Sequence, residues 1–175
     1  MNAVRSGGHD RMTVRGLAAD MGVAPMSLYR HVRDKDDLLD EVVDRLLAPA
    51  WKPQVASGDW QAWISEAANR LRRLLVEQPA ALHVYLRHPV VSPAAIERME
   101  AMLDVLRSGG LSAEAARRGY AAIHTYTIGF AALEASRSDW KPSRETGAVA
   151  QRLAAFTTSR QFAEGLRYLL NGLDS

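Results

Sequence analysis

Apolar residues along this chain recur at intervals of three and four, separated by charged and small polar residues. No stretch rich in β-branched or aromatic residues alternates at every second position. That period is helical, because a helix returns its Cβ atoms to one face every three or four residues. The pattern predicts a short helix from Val14 to about Asp20, a turn at Gly22, and a second short helix from about Pro25 to Val32. Asp34 is placed to cap a third helix running through Leu47, with Asp36 and Asp37 near its positive end. PAWKPQVASGD, residues 49–59, reads as a linker. A helix from about Trp60 to Glu77 follows, its stripe formed by Trp60, Ile64, Ala67, Leu71, Leu74 and Leu75. Pro79 interrupts, and Ala80 to Arg87 reads as a short helix ended by HPVVSP. Ser92 caps the next helix and Pro93 takes its first position; Ile96, Met99, Leu103 and Leu106 form its stripe until Gly109-Gly110 stops it. Ser112 caps a long helix through about Arg137, and helical stretches near 147–157 and 159–172 follow the loop SDWKPSRETG. The predicted fold is all-α: an N-terminal helix-turn-helix unit joined to a larger helical bundle.

The first two short helices carry the chemistry. Leu17, Ala18 and Met21 have the spacing to pack against Leu28 and Val32, with Val23 closing the turn, as in a helix-turn-helix. Pro25, Met26, Ser27, Tyr29 and Arg30 are left pointing largely outward, with His31 near the edge. A helix of eight residues is about 12 Å long, short enough for a major groove about 12 Å wide. Arg30 offers a bidentate fork to guanine, Ser27 a hydroxyl to base or phosphate, and Met26 an apolar contact to a thymine methyl. Tyr29 and His31 have the reach for phosphates, and Lys35 is a point charge at the next helix's start. Thr13, as N-cap, places backbone N–H groups and a hydroxyl where a phosphate can sit.

The net charge of +2 does not mark a nucleic-acid binder, but its distribution does more. Residues 1–35 hold Arg5, Arg11, Arg15, Arg30, Arg33 and Lys35 against Asp10, Asp20 and Asp34. Residues 36–47 hold Asp36, Asp37, Asp40, Glu41 and Asp44 against Arg45 alone. Only the first segment suits an anionic partner. Cysteine is absent, which excludes disulfides and thiolate metal sites. No run of about 18 apolar residues exists to span a membrane. MNAVRSGGHD has no apolar core of the sort a secretory signal needs, so a cytoplasmic location is expected.

TVRGLAADMGVAPMSLYRHVRDKDDLLDEVVDRLL resembles the DNA-binding segment of the TetR family of bacterial transcriptional regulators. The resemblance rests on the T-x-R-x-LA opening, the G-V turn, the LY-x-HV recognition helix and the K-x-x-LLD-x-V that begins the connecting helix. SGDWQAWISEAANRLRRLLVEQPA, GGLSAEAARRGYAAIHTYTIGFAALEA and FAEGLRYLLNGL are similar to the regulatory domain of the tetracycline-repressor-like branch. The resemblance implies two domains: residues 1–47, a helix-turn-helix DNA-binding domain with its connecting helix, and residues 48–175, a ligand-binding and dimerisation domain. It also implies a homodimer held by the last two long helices, and a small apolar effector bound in each regulatory core. That effector would shift the connecting helix and release a repressor from a palindromic double-stranded DNA operator. The family's DNA-contacting positions fall on Thr13, Arg15, Pro25, Met26, Ser27, Tyr29, Arg30, His31 and Lys35. For Tyr29 core packing is an equal alternative, and Arg15 could be a solvated helix residue. The family has a full helix ahead of the threonine. Here only MNAVRSGGHDRM precedes Thr13, with Gly7-Gly8 reading as that helix's stop, so the expectation is either that this sequence starts inside a longer natural chain or that most of the first helix has been lost. The alternative function is a helical module binding small molecules or proteins, its DNA binding impaired by that truncation.

The regulatory half offers weaker signals. His83 and His88 are five apart, wrong for one helix face, and His124 has no carboxylate or histidine at three or four residues' distance. No metal site, cofactor or catalytic constellation is expected. His124 reads either as a satisfied bundle histidine or as a hydrogen-bonding pocket residue. A ligand cavity between splayed helices is expected to be lined from Trp63, Ala67, Leu86, Met99, Leu103, Leu106, Tyr120, His124, Thr127 and Ile128, although Trp, Met and Tyr at such positions are more often plain core. For dimerisation the candidates are Ala121, Gly129, Ala132 and Ala135, small enough for close helix approach, with Phe162, Leu166, Leu169 and Leu170 on the last helix. That last helix could instead close its own subunit's core.

Overall fold

A computed structural model describes residues 58–87, 92–138 and 147–173, together with 41 and 43–45. All regular structure among them is helical: α1 (Trp60–Glu77), α2 (Pro79–Arg87), α3 (Pro93–Ser108), α4 (Ala113–Ser138), α5 (Gly147–Ala154), a 3-10 turn (Ala155–Thr157) and α6 (Ser159–Leu173). Residues 41 and 43–45 are helical as well.

The helix boundaries follow capping chemistry. Asp59, Ser92, Ser112 and Thr158 each accept a hydrogen bond, from the backbone N–H of Ala62, Ala95, Ala115 and Gln161 respectively, satisfying donors that a helix start leaves open. The α3 terminus is a Schellman motif: Gly110 N–H reaches the Arg107 carbonyl and Leu111 N–H the Leu106 carbonyl. Gly110 holds φ at +98°, which a side chain would strain. Leu111 then packs back on the core beside Leu106.

Four helices enclose the main core. Ile64 and Ala68 come from α1, Met102 and Leu106 from α3, Ala116, Ile123 and Phe130 from α4, and Phe162, Leu166 and Leu170 from α6. A second cluster joins Leu75, Ala81, Leu82 and Ala131, with Leu71, Leu74 and Ile128 packed around it. Val43 is fully buried against Leu71, Leu74 and Tyr85, so the helical residues 43–45 are seated on α1 and α2 through it.

Two departures from the apolar pattern are informative. On α3 the buried face is Met102 and Leu106, while Ile96 is exposed and Met99 and Leu103 are half-buried. The face is rotated from the expected stripe because Arg98, one turn before Met102, heads the inward row in place of an apolar residue. On α1, Arg72 is only 4% exposed. Its Nη1 meets Glu134 at 2.6 Å, its Nη2 donates to Ser159 Oγ at 3.1 Å, and its guanidinium lies 5.1 Å from the Phe162 ring centroid. Its Nε has no hydrogen-bond partner. The charge ties α1 to both α4 and α6.

Candidate ligand site

The expected DNA-contacting set, Thr13, Arg15, Pro25, Met26, Ser27, Tyr29, Arg30, His31 and Lys35, lies outside the described residues. Among the described residues the candidate site is in the bundle.

Tyr120 and His124 stand one turn apart on α4, a spacing that puts both rings on one face. The rings stack, with centroids 5.3 Å apart and planes at 21°. Tyr85 of α2 leans in from the other side, its ring centroid 6.0 Å from that of His124. Among the described residues, none of these three polar tips has a hydrogen-bonding partner. Burial pushes the Tyr85 hydroxyl up to about 12, opposed by the positive charge of Arg98 and assisted by Tyr120 and Asp44. Burial raises Tyr120 too, again against Arg98. Burial lowers His124 below its ordinary 6.5. At neutral pH both phenols are therefore protonated donors and the imidazole is uncharged.

Arg98 is the cation whose charge acts on both phenols. Its Nη2 meets Asp44 Oδ1 at 2.6 Å, with side chains only 13% and 17% exposed. The pair joins residues 54 positions apart, linking α3 to the segment at 41–45. Together with Val43 it holds that segment against the aromatic group.

The sequence-expected lining divides three ways. Trp63, Leu103 and Tyr120 pack partly buried around the main core, Leu106 is fully inside it, and His124 adjoins through Tyr120. Ala67 is buried on α1, Met99 is half-buried on α3, and Ile128 belongs to the second cluster. Thr127 is fully buried, but its hydroxyl donates to the Ile123 carbonyl at 2.7 Å, so it is spent on its own helix. Leu86 is 57% exposed at the end of α2 and does not join the cluster. Its neighbour Tyr85 does, since a nine-residue helix fixes its phase poorly from sequence. Asp44 and Arg98 were also unexpected. Arg98 carries a findable signal: it shares the 98–102–106 row with two core residues.

The candidate dimer residues divide as well. Ala121 and Gly129 are exposed on α4, while Ala132 and Ala135 pack against the second cluster. Phe162, Leu166 and Leu170 do not offer an outer face; they close the subunit's own core. The reason is the strong segregation of α6, which turns its large apolar residues inward and leaves Leu169 half-buried at their flank.

Among the described residues no helix is long and apolar enough to cross a membrane, and no group of three or more His, Cys, Asp or Glu side chains is placed to hold a metal.

Comparison with known proteins points one way. The family model described as tetracyclin repressor-like, C-terminal domain, matches residues 52–175. The chain is 32% identical over 125 residues to the HTH-type transcriptional repressor DrrR1 of Streptomyces coeruleorubidus, covering 71% of this chain and 46% of that protein. It is 29% identical over 182 residues to the class A tetracycline repressor protein from transposon 1721 of Escherichia coli, covering 95% of this chain and 82% of that protein. It spans about half the length of several curated relatives, 46% of DrrR1 and 50% of the Rv1353c repressor of Mycobacterium tuberculosis. The solved structure of the Streptomyces coelicolor TetR family protein ActR in complex with actinorhodin matches with a TM-score of 0.70 at 26% identity, covering 96% of this chain and 89% of that one.

Proposed function

The chain belongs to the tetracycline repressor-like family, and on that premise we propose that it is a ligand-responsive DNA-binding transcriptional regulator. It acts as a repressor, released from a palindromic operator by a small, largely apolar molecule. The observation that carries this reading is the seating of the segment at 41–45 on the aromatic cluster, through Val43 and the Asp44–Arg98 pair. A molecule entering among Tyr85, Tyr120 and His124 meets the side chains that fix this segment. The segment follows directly on residues 13–35, where the helix-turn-helix pattern lies, so its displacement is a short route to the DNA. The neutral imidazole and two phenols supply hydrogen bonds, and the apolar residues around them supply most of the contact area.

The working unit is a homodimer. Ala121, Thr125, Gly129 and Leu133 repeat every fourth residue along the exposed face of α4, and Leu133 is 52% exposed. Tyr168 on α6 is 64% exposed. Small residues flanked by large apolar ones suit close helix pairing across a two-fold axis. A two-fold dimer reads half-sites about 34–36 Å apart, or a multiple of this. Selection from random duplex DNA tests the function. Enrichment of a palindrome, lost on adding an effector, is expected; absence of any enriched sequence overturns the reading.

A further inference from the structure

We propose that Arg98 recognises an acidic group on the effector, and that this acid and Asp44 compete for the same guanidinium. The proposal rests on the ligand-site reading above and narrows it to one chemical class: a planar aromatic body bearing one negative charge.

Three features carry it. First, Asp44 occupies one guanidinium nitrogen, and among the described residues the Nε and Nη1 donors of Arg98 have no partner. Arginine presents five N–H donors in a planar fork suited to carboxylates and similar acids, so a second acid has donors to use. Second, Val43, next to Asp44 in the chain, packs on Tyr85, whose ring centroid lies 6.0 Å from that of His124, so the Asp44–Arg98 pair adjoins the aromatic group. The positive charge of Arg98 opposes the effect of burial on the Tyr85 and Tyr120 hydroxyls. An aromatic body lying along these rings brings an attached acid to the cation. Third, Arg98 and Asp44 are both largely shielded from water. A second anion beside Asp44 is therefore poorly screened, and repulsion between the two acids is strong. The charge on the molecule, and not its bulk alone, loosens the segment at 41–45.

Linkage makes this measurable. If an acid weakens the hold of Asp44 on Arg98, removing the Asp44 charge must strengthen the acid's binding. Two probes of nearly the same shape separate charge from bulk: 1-anilinonaphthalene-8-sulfonate, an anion, and N-phenyl-1-naphthylamine, which lacks the sulfonate. Fluorescence titration of the full chain, with each probe displacing the other, measures both. Arg98→Gln is expected to weaken the anion about tenfold, the scale of one charge-assisted hydrogen bond, and to leave the neutral probe little changed. Asp44→Asn is expected to tighten the anion severalfold, again sparing the neutral probe. The double variant Asp44→Asn/Arg98→Gln leaves no unpaired charge behind, so it keeps the result readable if Arg98→Gln alone folds poorly; it is expected to bind the anion weakly. Amide exchange at residues 41–45 is expected to quicken with the anion only. If both single variants move the anion's affinity in the same direction, or move both probes alike, the pair is only a brace and the proposal fails while the ligand site stands. If neither probe saturates the wild-type chain, the ligand site and the proposal fall together.

Discussion

Glu134→Gln tests whether the buried Arg72 pair is a structural tie between α1, α4 and α6. Arg72 is 4% exposed, and among the described residues Glu134 supplies its one anionic contact, at 2.6 Å. Ser159 and the face of Phe162 remain when the charge is removed, but neither neutralises a cation. Breaking a fully buried pair from one side costs about 3–5 kcal/mol, because the other charge is left uncompensated. The Glu134 side chain is 24% exposed, so water reaches its place and the loss here falls to about 2–3 kcal/mol. For a domain of this size that corresponds to a fall in Tm of about 4–12 °C. Urea unfolding of wild type, Glu134→Gln, Arg72→Met and the double variant, at one fixed protein concentration, closes the cycle. The double variant replaces both charges and is expected to be more stable than Glu134→Gln alone. A loss below about 0.5 kcal/mol for Glu134→Gln, the scale of an exposed pair, or a double variant as unstable as the sum of the two single ones, refutes the tie.

Four other outcomes follow. His124 has a folded pKa depressed below 6.5, so the unfolded chain binds the extra proton. Its contribution to stability is present above pH 6.5 and is lost as pH falls through the folded value. Denaturant midpoints should decline over that window more steeply for wild type than for His124→Gln, and equal slopes would remove burial of this imidazole as the cause. At Gly165 an added methyl collides with the Tyr126 hydroxyl, which donates to the Phe162 carbonyl at 3.1 Å. Gly165→Ala should cost about 1–3 kcal/mol by overpacking, and adding Tyr126→Phe should recover part of it in thermal melts. Leu133→Glu places a charge on the exposed stripe of α4, and sedimentation should then show monomer at concentrations where wild type is dimeric. An unchanged mass moves the dimer contact elsewhere. Arg30→Ala should lose about 1–3 kcal/mol of operator affinity and relax preference at one base pair per half-site; equal loss on all sequences would make Arg30 a phosphate contact.

The sequence by itself determined the helical elements of the bundle. The 3.6-residue period and the caps at Ser92 and Ser112 are local features, and the structure starts α3 and α4 beside those residues. Local chemistry suffices because capping and periodicity act within one or two turns. The candidate site was only half legible. Tyr120 and His124 could be paired by their spacing on one helix, whereas Tyr85, Arg98 and Asp44 lie on three other segments and meet that pair only in three dimensions. The apolar stripes read from the pattern include neither Arg72 nor Arg98, yet both turn inward. Each finds a carboxylate far away in sequence, at Glu134 and at Asp44. The same holds for α6, whose amphipathic stripe is plain in the sequence while its partner is not. Packing decided that Phe162, Leu166 and Leu170 face their own subunit. Hydropathy records how strongly a side chain avoids water, and a charge is tolerated inside only where its counter-charge arrives from another element. That arrival is a property of the fold, which is why the elements could be read in advance and their meeting points could not.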